Sequence, residues 1–386
     1  MNVVFISPHF PPNWTWFCHA LADAGANVLG IGDSPVGALS EDLRDCLADY
    51  LYIPDMQSRD AMTRACGLLT ARHGKLDRID SLNEHWLEIE AQLRRDFNVF
   101  GLKPDELGRL RSKHGMREIF KEAGIPCARG RCIATRKQAR AFVEEVGGPV
   151  VFKPELGVGG MGALRIDSVA ELEDKLPEVS ERLIGEEFLQ GKLMSYDGLV
   201  DREGRILFEH CTEVSAGVME ILKTRREVHY YSLREPPAGL VEIGRSMIEA
   251  FGLRERFFHS EAFMLPDGTF RALEVNLRPP GGFSTDMMNF SFDADVYQLW
   301  ARVMTRGTAE PWTERHWHVA HVGRRDHLQY RYDLATIHAN LDSEIRMSQR
   351  MPAPFDYAMG DHVLMIRNKD LDTLKADIAL IEALAE

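Results

Sequence analysis

The sequence predicts an α/β protein in which a doubly wound parallel sheet precedes a larger unit dominated by sheets. Two patterns carry this expectation. Over residues 1–100, short apolar runs alternate with stretches whose apolar residues recur every three or four positions, the alternation of strands and covering helices in a parallel sheet. Beyond residue 103 the pattern changes to short strands, a glycine-rich loop and a hairpin carrying carboxylates. At 386 residues the chain has room for two or three packed units.

In the first unit, strands are expected at 3–6, 27–31 and 50–53, and helices at 14–24, 40–48, 59–73 and 84–96. The unit is Rossmann-like by pattern. Its first strand, however, runs into Ser7-Pro8-His9-Phe10-Pro11-Pro12 and not into a glycine fingerprint, so no nicotinamide cofactor is assigned. A helix over 105–123 stops at Gly124, ahead of Ile125-Pro126. The expected division is 1–103, then 104–310 with a glycine-loop lobe at about 117–188, then a small C-terminal α+β extension at 311–386. Within the second unit the pattern gives a helix at 135–146, a strand at 150–153, a strand at 163–166, a helix at 168–176, and sheets up to about 278. The extension adds strands near 317–322 and 362–367 and a helix at 371–384.

Lys plus Arg is 46 against 59 Asp plus Glu, a formal charge of −13. Such a balance argues against nucleic acid and anionic membranes as partners, while a local basic cleft for a small anion stays open. The six cysteines include no CxxC pair, which fits a reducing cytoplasm. The amino end lacks a basic segment before its apolar run and reads as a strand, not a signal peptide, and no run of about 18 apolar residues is present to span a bilayer.

Gly157-Val158-Gly159-Gly160-Met161-Gly162 matches GxGxxG, yet a returning strand follows it where a dinucleotide fingerprint opens a helix. The Lys-Ser/Thr of a Walker loop is absent, and Lys153 precedes the loop where a kinase lysine follows. What remains is a hairpin tip open to phosphate, with Lys153 as a point charge on its leading strand, or a hairpin kept glycine-rich for turn geometry alone.

The stronger signal is 257–278. Asp267-Gly268 between apolar runs predicts a hairpin with a two-residue turn, which sets Glu261 opposite Glu274 and His259 opposite Asn276. Period-two alternation then puts Ala272, Glu274, Asn276 and Arg278 on one face and Leu273, Val275 and Leu277 on the other. Opposed carboxylates with Cβ atoms about 5 Å apart disfavour pairing unless a positive group lies between them. Two carboxylates and an amide oxygen with open positions suit Mg²⁺, with Mn²⁺ as the alternative; the other reading is a solvated face or a structural Glu–Arg pair.

These residues resemble the ATP-grasp superfamily of carboxylate–amine ligases over roughly 104–305. Four stretches carry the resemblance: Ser112-Lys113 with Ala123-Gly124-Ile125-Pro126; Val151-Phe152-Lys153-Pro154 with Gly157 to Gly162; Glu186-Glu187-Phe188-Leu189-Gln190-Gly191; and Glu274-Val275-Asn276-Leu277-Arg278 with Gly281-Gly282. The resemblance implies an ATP-grasp fold after a Rossmann-like domain. It implies that Lys113 and Lys153 contact ATP phosphates, that Gly157, Gly159, Gly160, Met161 and Gly162 close over them, and that Glu186 with the backbone of Glu187, Phe188 and Leu189 holds adenine. It further implies Mg²⁺ on Glu261, Glu274 and Asn276, and a phosphorylated intermediate steadied by Arg278 and the N–H groups of Gly281 and Gly282.

Relatives commonly carry an acid for the ribose where this chain has Leu193, so that Lys192 or another group has to substitute. The implied reaction is an ADP-forming ligation of small carboxylates and amines, amino acids among them, in a cytoplasmic protein for which a homodimer is allowed. A carboxylase, a phosphotransferase or a non-catalytic ATP switch are the other readings.

Remaining groups are expected to be structural or to line the substrate: His316, His318, His321 and His327, with the first two alternating on a strand; Trp14, Trp16 and Phe17 after the first strand; Glu84-His85-Trp86 at a helix start; and an irregular segment, 213–236, beside the acceptor pocket.

Overall fold

The computed structural model describes residues 1–155, 162–176, 178–179, 182–215, 227–353 and 355–385. The first apolar runs form a parallel sheet: β1 (Asn2–Ile6), β2 (Asn27–Gly32), β3 (Asp49–Tyr52) and β4 (Arg78–Asp80), in the order β3-β2-β1-β4. Every residue of β1 is buried, as befits a central strand with helices on both faces. The helices Thr15–Asp23, Arg59–His73 and Leu87–Asp96 flank it. Ser58 caps the second of these by accepting from the Ala61 N–H.

Where a single helix over 105–123 was expected, two occur, Pro104–Arg111 and Lys113–Glu122. The break is Ser112, whose extended backbone ends the first helix while its hydroxyl accepts from the Gly115 N–H at 3.1 Å and starts the second. Only glycine fits at 115, because a Cβ there would collide with the Arg109 carbonyl oxygen. The second helix buries Met116, Ile119 and Phe120 in the main core, so the small lobe expected from about 117 has its own strands only from Gly130 onward. Those strands are β5 (Gly130–Ile133), β6 (Val150–Pro154), β7 (Leu164–Ile166) and β8 (Leu183–Glu187), antiparallel in the order β5-β8-β6-β7. The helices Arg136–Val146 and Val169–Lys175 cover it, with Phe142, Phe152, Ile166 and Leu172 as core.

The third sheet has eight strands: β9 (Lys192–Val200), β10 (Ile206–Val214), β11 (Val228–Ser232), β12 (Arg256–Met264), β13 (Phe270–Asn276), β14 (His318–Arg324), β15 (Glu344–Arg350) and β16 (His362–Asn368). Their order is β13-β12-β9-β10-β11-β14-β16-β15. The segment 311–386 therefore continues this sheet instead of standing beside it: β14 pairs with β11. Helices at Ala238–Phe251, Ser284–Phe292 and Val296–Arg306 interrupt and follow what sequence pattern gave as strands up to about 278. One face of the sheet is covered by Lys113–Glu122, Ala238–Phe251 and the closing helix Leu371–Glu382. The opposite face meets the first unit. Phe17 lies 5.8 Å from Phe257 and 5.2 Å from Trp300, ring centre to ring centre, within one continuous apolar cluster. Truncating any one of these three aromatics to alanine is expected to cost about 3–5 kcal/mol.

The 257–278 hairpin keeps the expected pairing by a different route. Its loop has three residues, closed by Leu265 N–H to the Thr269 carbonyl at 2.8 Å, with Gly268 at φ +81°. That loop shifts the register near the turn, so Met264 faces Phe270 and Ala262 faces Ala272. An irregularity at Leu273 inserts one residue and restores the register beyond it, giving Glu261 opposite Glu274 and His259 opposite Asn276. The bulge also switches faces. Phe270 and Ala272 enter the core before it and Val275 and Leu277 after it, leaving Leu273 out of the apolar row expected for it.

Candidate functional site

The site begins with three adjacent strands. In the register of β9, β12 and β13, one row reads Ser195, Glu261, Glu274 and the next reads Asp197, His259, Asn276. All six project to the same face, the one turned away from the Lys113–Glu122 and Ala238–Phe251 helices. Asn276 donates from Nδ2 to Glu274 Oε1 at 3.0 Å, which leaves its amide oxygen available. Two carboxylates and an amide oxygen make a hard, oxygen-only donor set suited to Mg²⁺ or Mn²⁺ with part of the shell supplied from elsewhere. Among the described residues no group of three or more His, Cys, Asp and Glu is arranged to hold a metal ion.

His259 is the middle member of the second row. Its Nδ1 is 2.6 Å from Asp197 Oδ1 and its Nε2 is 3.4 Å from Glu261 Oε1. Burial disfavours the charged ring, but Asp197 and Glu261 outweigh it and hold the imidazole up at about 10. The positive charge that the opposed carboxylates require is thus partly built into the protein.

Cations from the small lobe and its lead-in helix converge on the same place. Lys113, the first residue of its helix, is fixed from behind: its N–H bonds the Glu155 carbonyl at 3.3 Å, and Ser112 Oγ donates to Glu155 Oε1 at 2.9 Å. Burial pushes the Lys113 ammonium below its ordinary value, with Glu274 opposing that shift and Lys153 reinforcing it. Lys153 on β6 sits 2.5 Å from Glu186 Oε2, and Arg117 donates to Glu186 Oε1 at 2.8 Å. Burial alone would raise the Glu186 carboxyl; the two cations more than reverse this and hold it below the ordinary range.

The first unit reaches in as well. Glu84 is buried, and burial raises its carboxyl above the ordinary range against the pull of Arg278 and Arg111, with Glu274 adding to the rise. Asn13 donates from Nδ2 to the Gly282 carbonyl at 3.1 Å and to Thr285 Oγ1 at 3.3 Å. Gly282 itself has φ +64°. The site is therefore a cleft floor on β9, β12 and β13, walled by the small lobe, the Lys113 helix and the loops leaving β1 and β4.

A family model described as the carbamoyl-phosphate synthase L chain, ATP binding domain, matches residues 112–187. The chain is similar to an L-arginine-specific L-amino acid ligase of Bacillus subtilis, 23% identical over 261 residues that cover 65% of this chain and 63% of that protein. The crystal structure of an L-amino acid ligase from Bacillus licheniformis superposes with a TM-score of 0.74 at 17% identity, covering 99% of this chain and 97% of the other. The biotin carboxylase domain of the Hydrogenobacter thermophilus 2-oxoglutarate carboxylase, solved with MgADP, ADP and bicarbonate, superposes with a TM-score of 0.66 at 14% identity, covering 95% and 86%. The chain has the ATP-grasp fold. The curated ligase match spans less than two thirds of that relative's length.

Within the ATP-grasp frame, the structure brings Lys113, Lys153, Glu261, Glu274 and Asn276 together. Gly157, Gly159, Gly160 and Met161 lie outside the described residues; Gly162, at φ +72°, returns the chain toward β7. Glu186 has a structural role as well. One of its oxygens pairs with Lys153 and the other with Arg117, so its side chain orients the lysine. Along the hinge, the Glu187 and Phe188 N–H groups bond the Arg129 and Pro149 carbonyls, leaving the Leu189 N–H with no partner among the described residues.

Leu193 also has a structural account. It is directly opposite Phe263 on the cleft face, an apolar floor between hinge and carboxylates, while Lys192 pairs with Glu213 at 3.0 Å. Of the four histidines, His316 precedes the strand, His318 accepts from the Arg234 N–H, His321 is fully buried and His327 is exposed, so they form no cluster. Trp14 and Phe17 are core, whereas Trp16 is exposed. Segment 213–236 supplies the ends of β10 and β11, and its residues 216–226 lie outside the described set. Sequence reasoning missed Asp197, His259 as a cation, and Phe263. The alternating pattern of β9 held the signal, but only its pairing with β12 gives it meaning.

Proposed function

We propose that the protein is an ATP-dependent, ADP-forming ligase that joins a small carboxylate to an amine, amino acids being the leading candidates. The observation that carries this reading is the opposed pair Glu261 and Glu274, with Asn276 beside it, under Lys113 and next to Arg278. Its support from outside the chain is the full-length likeness to an L-amino acid ligase. Mg²⁺ held by Glu261, Glu274 and Asn276 would neutralise phosphate charge during transfer.

The chain's own groups supply the rest. Lys113 and Lys153 bind the phosphate chain, and the Glu186 carboxylate keeps Lys153 extended toward it. A substrate carboxylate oxygen attacks the γ-phosphorus, the bond to ADP breaks, and an acyl phosphate forms. The step needs in-line positioning and charge neutralisation more than covalent help from the protein. Arg278 and the N–H groups of Gly281 and Gly282 then steady the oxyanion as an amine adds to the acyl carbon. Phosphate leaves, the nitrogen gives up a proton, and an amide remains.

The biotin carboxylase relative with bicarbonate gives the second reading, carboxylation. A panel of carboxylates and amines assayed for ADP release, with mass spectrometry of products, tests the proposal. An amide product, lost in Glu274→Gln, is expected. Turnover that requires bicarbonate and no amine would replace the ligase with a carboxylase.

A further inference from the structure

Beside the opposed carboxylates, on the same face of the sheet, lies a second set of polar groups that the ligase reading does not employ. Asp197 is buried in the centre of the eight-stranded sheet, a position in which an ionised carboxylate persists only if its oxygens are satisfied. Oδ1 takes His259 Nδ1 at 2.6 Å; Oδ2 takes the Ser195 hydroxyl at 2.6 Å and lies 3.8 Å from His210 Nδ1. With Nδ1 committed to Asp197, the ring plane and the direction of Nε2 are set, and Nε2 reaches Glu261 Oε1 at 3.4 Å.

The register makes the arrangement directional: His259 is opposite Asp197 on one side and Asn276 on the other, while Glu261 is opposite Ser195 and Glu274. Glu261 therefore has a partner inside the protein and a like charge across the strand.

We propose that Asp197 and His259 form a positioning pair: Asp197 orients His259, and His259 holds Glu261 facing Glu274 and Asn276, so that a divalent cation meets a preformed donor set. The proposal rests on the metal assignment of Glu261, Glu274 and Asn276 made above. Partners that orient a metal ligand without touching the metal typically change affinity by about 10–100-fold when removed.

The test uses Mn²⁺ as the probe, followed by electron paramagnetic resonance on the full chain without and with ATP, alongside circular dichroism to confirm the fold. Asp197→Asn is expected to weaken Mn²⁺ binding by about tenfold or more and to raise KM for the metal–ATP complex more than it lowers kcat. In a Glu261→Gln background the same Asp197→Asn change should have no further effect on Mn²⁺ affinity, because it acts through Glu261.

Should Asp197→Asn fail to fold, the comparison moves to position 259. His259→Leu should lose Mn²⁺ affinity, and His259→Gln, whose amide can still donate to Glu261, should recover part of it. Mn²⁺ affinity unchanged in Asp197→Asn or His259→Leu, while Glu261→Gln weakens binding, overturns the positioning pair and leaves the metal assignment standing. Unchanged affinity in Glu261→Gln overturns both.

Discussion

Asn13 donates its side-chain amide to the carbonyl of Gly282, 269 residues further along the chain, at 3.1 Å. The contact ties the loop leaving the first strand to the glycine pair that follows Arg278. Both ends are buried, so the bond has no water to replace it.

Asn13→Ala should leave the Gly282 carbonyl and Thr285 hydroxyl short of a donor and lower stability by about 1–3 kcal/mol in urea unfolding. Because the loop sits at the proposed transfer point, kcat should fall while ATP affinity, measured by calorimetry, holds. A variant with normal turnover would show that the contact is structural only.

Glu186→Gln should destabilise by about 3 kcal/mol at neutral pH, since it leaves the largely enclosed Lys153 and Arg117 beside a neutral group. The carboxyl is held below its ordinary value of 4.5, so its stabilisation is complete above that pH and is lost as pH falls through the lower folded value. Unfolding curves of wild type and variant should therefore converge in acid. A gap that stays constant from pH 7 to pH 3 would mean that Glu186 is not ionised in the folded chain.

His321 gives an acid sensitivity of opposite origin. The ring is fully buried, stacked on Tyr230 at 4.5 Å, and bonds the Met359 carbonyl through Nε2 at 3.0 Å. Burial lowers it from 6.5 to about 4, so the unfolded chain binds its proton first. Stability should drop by about 3 kcal/mol as pH falls from 6.5 to 4, and His321→Phe, which keeps a stacked ring, should remove that part of the slope. An unchanged slope would refute the assignment.

Sequence legibility followed locality. The hairpin at 257–278 was readable because its signals sit within twenty-two residues, yet the pairing of Glu261 with Glu274 came out right through two compensating departures, a longer loop and a bulge at Leu273. The helix Ala238–Phe251 has apolar residues at Leu240, Ile243, Met247, Ile248 and Phe251, a readable period lost beside the irregular segment before it. The break at Ser112 turns on one backbone conformation and one cap, which helical periodicity does not report. Asp197 and His259 carried no message until β9 and β12, about sixty residues apart, were seen side by side.

The continuity of the large sheet limits how the molecule can be shortened. Removing everything after residue 310 would peel β14, β16 and β15 from β11 and uncover a row of unpaired amides and carbonyls next to a stripped apolar surface. A trimmed version retaining every residue proposed to face the nucleotide would thus be prone to stick to its own copies, and the tail is better regarded as a sealing panel than as an appendage.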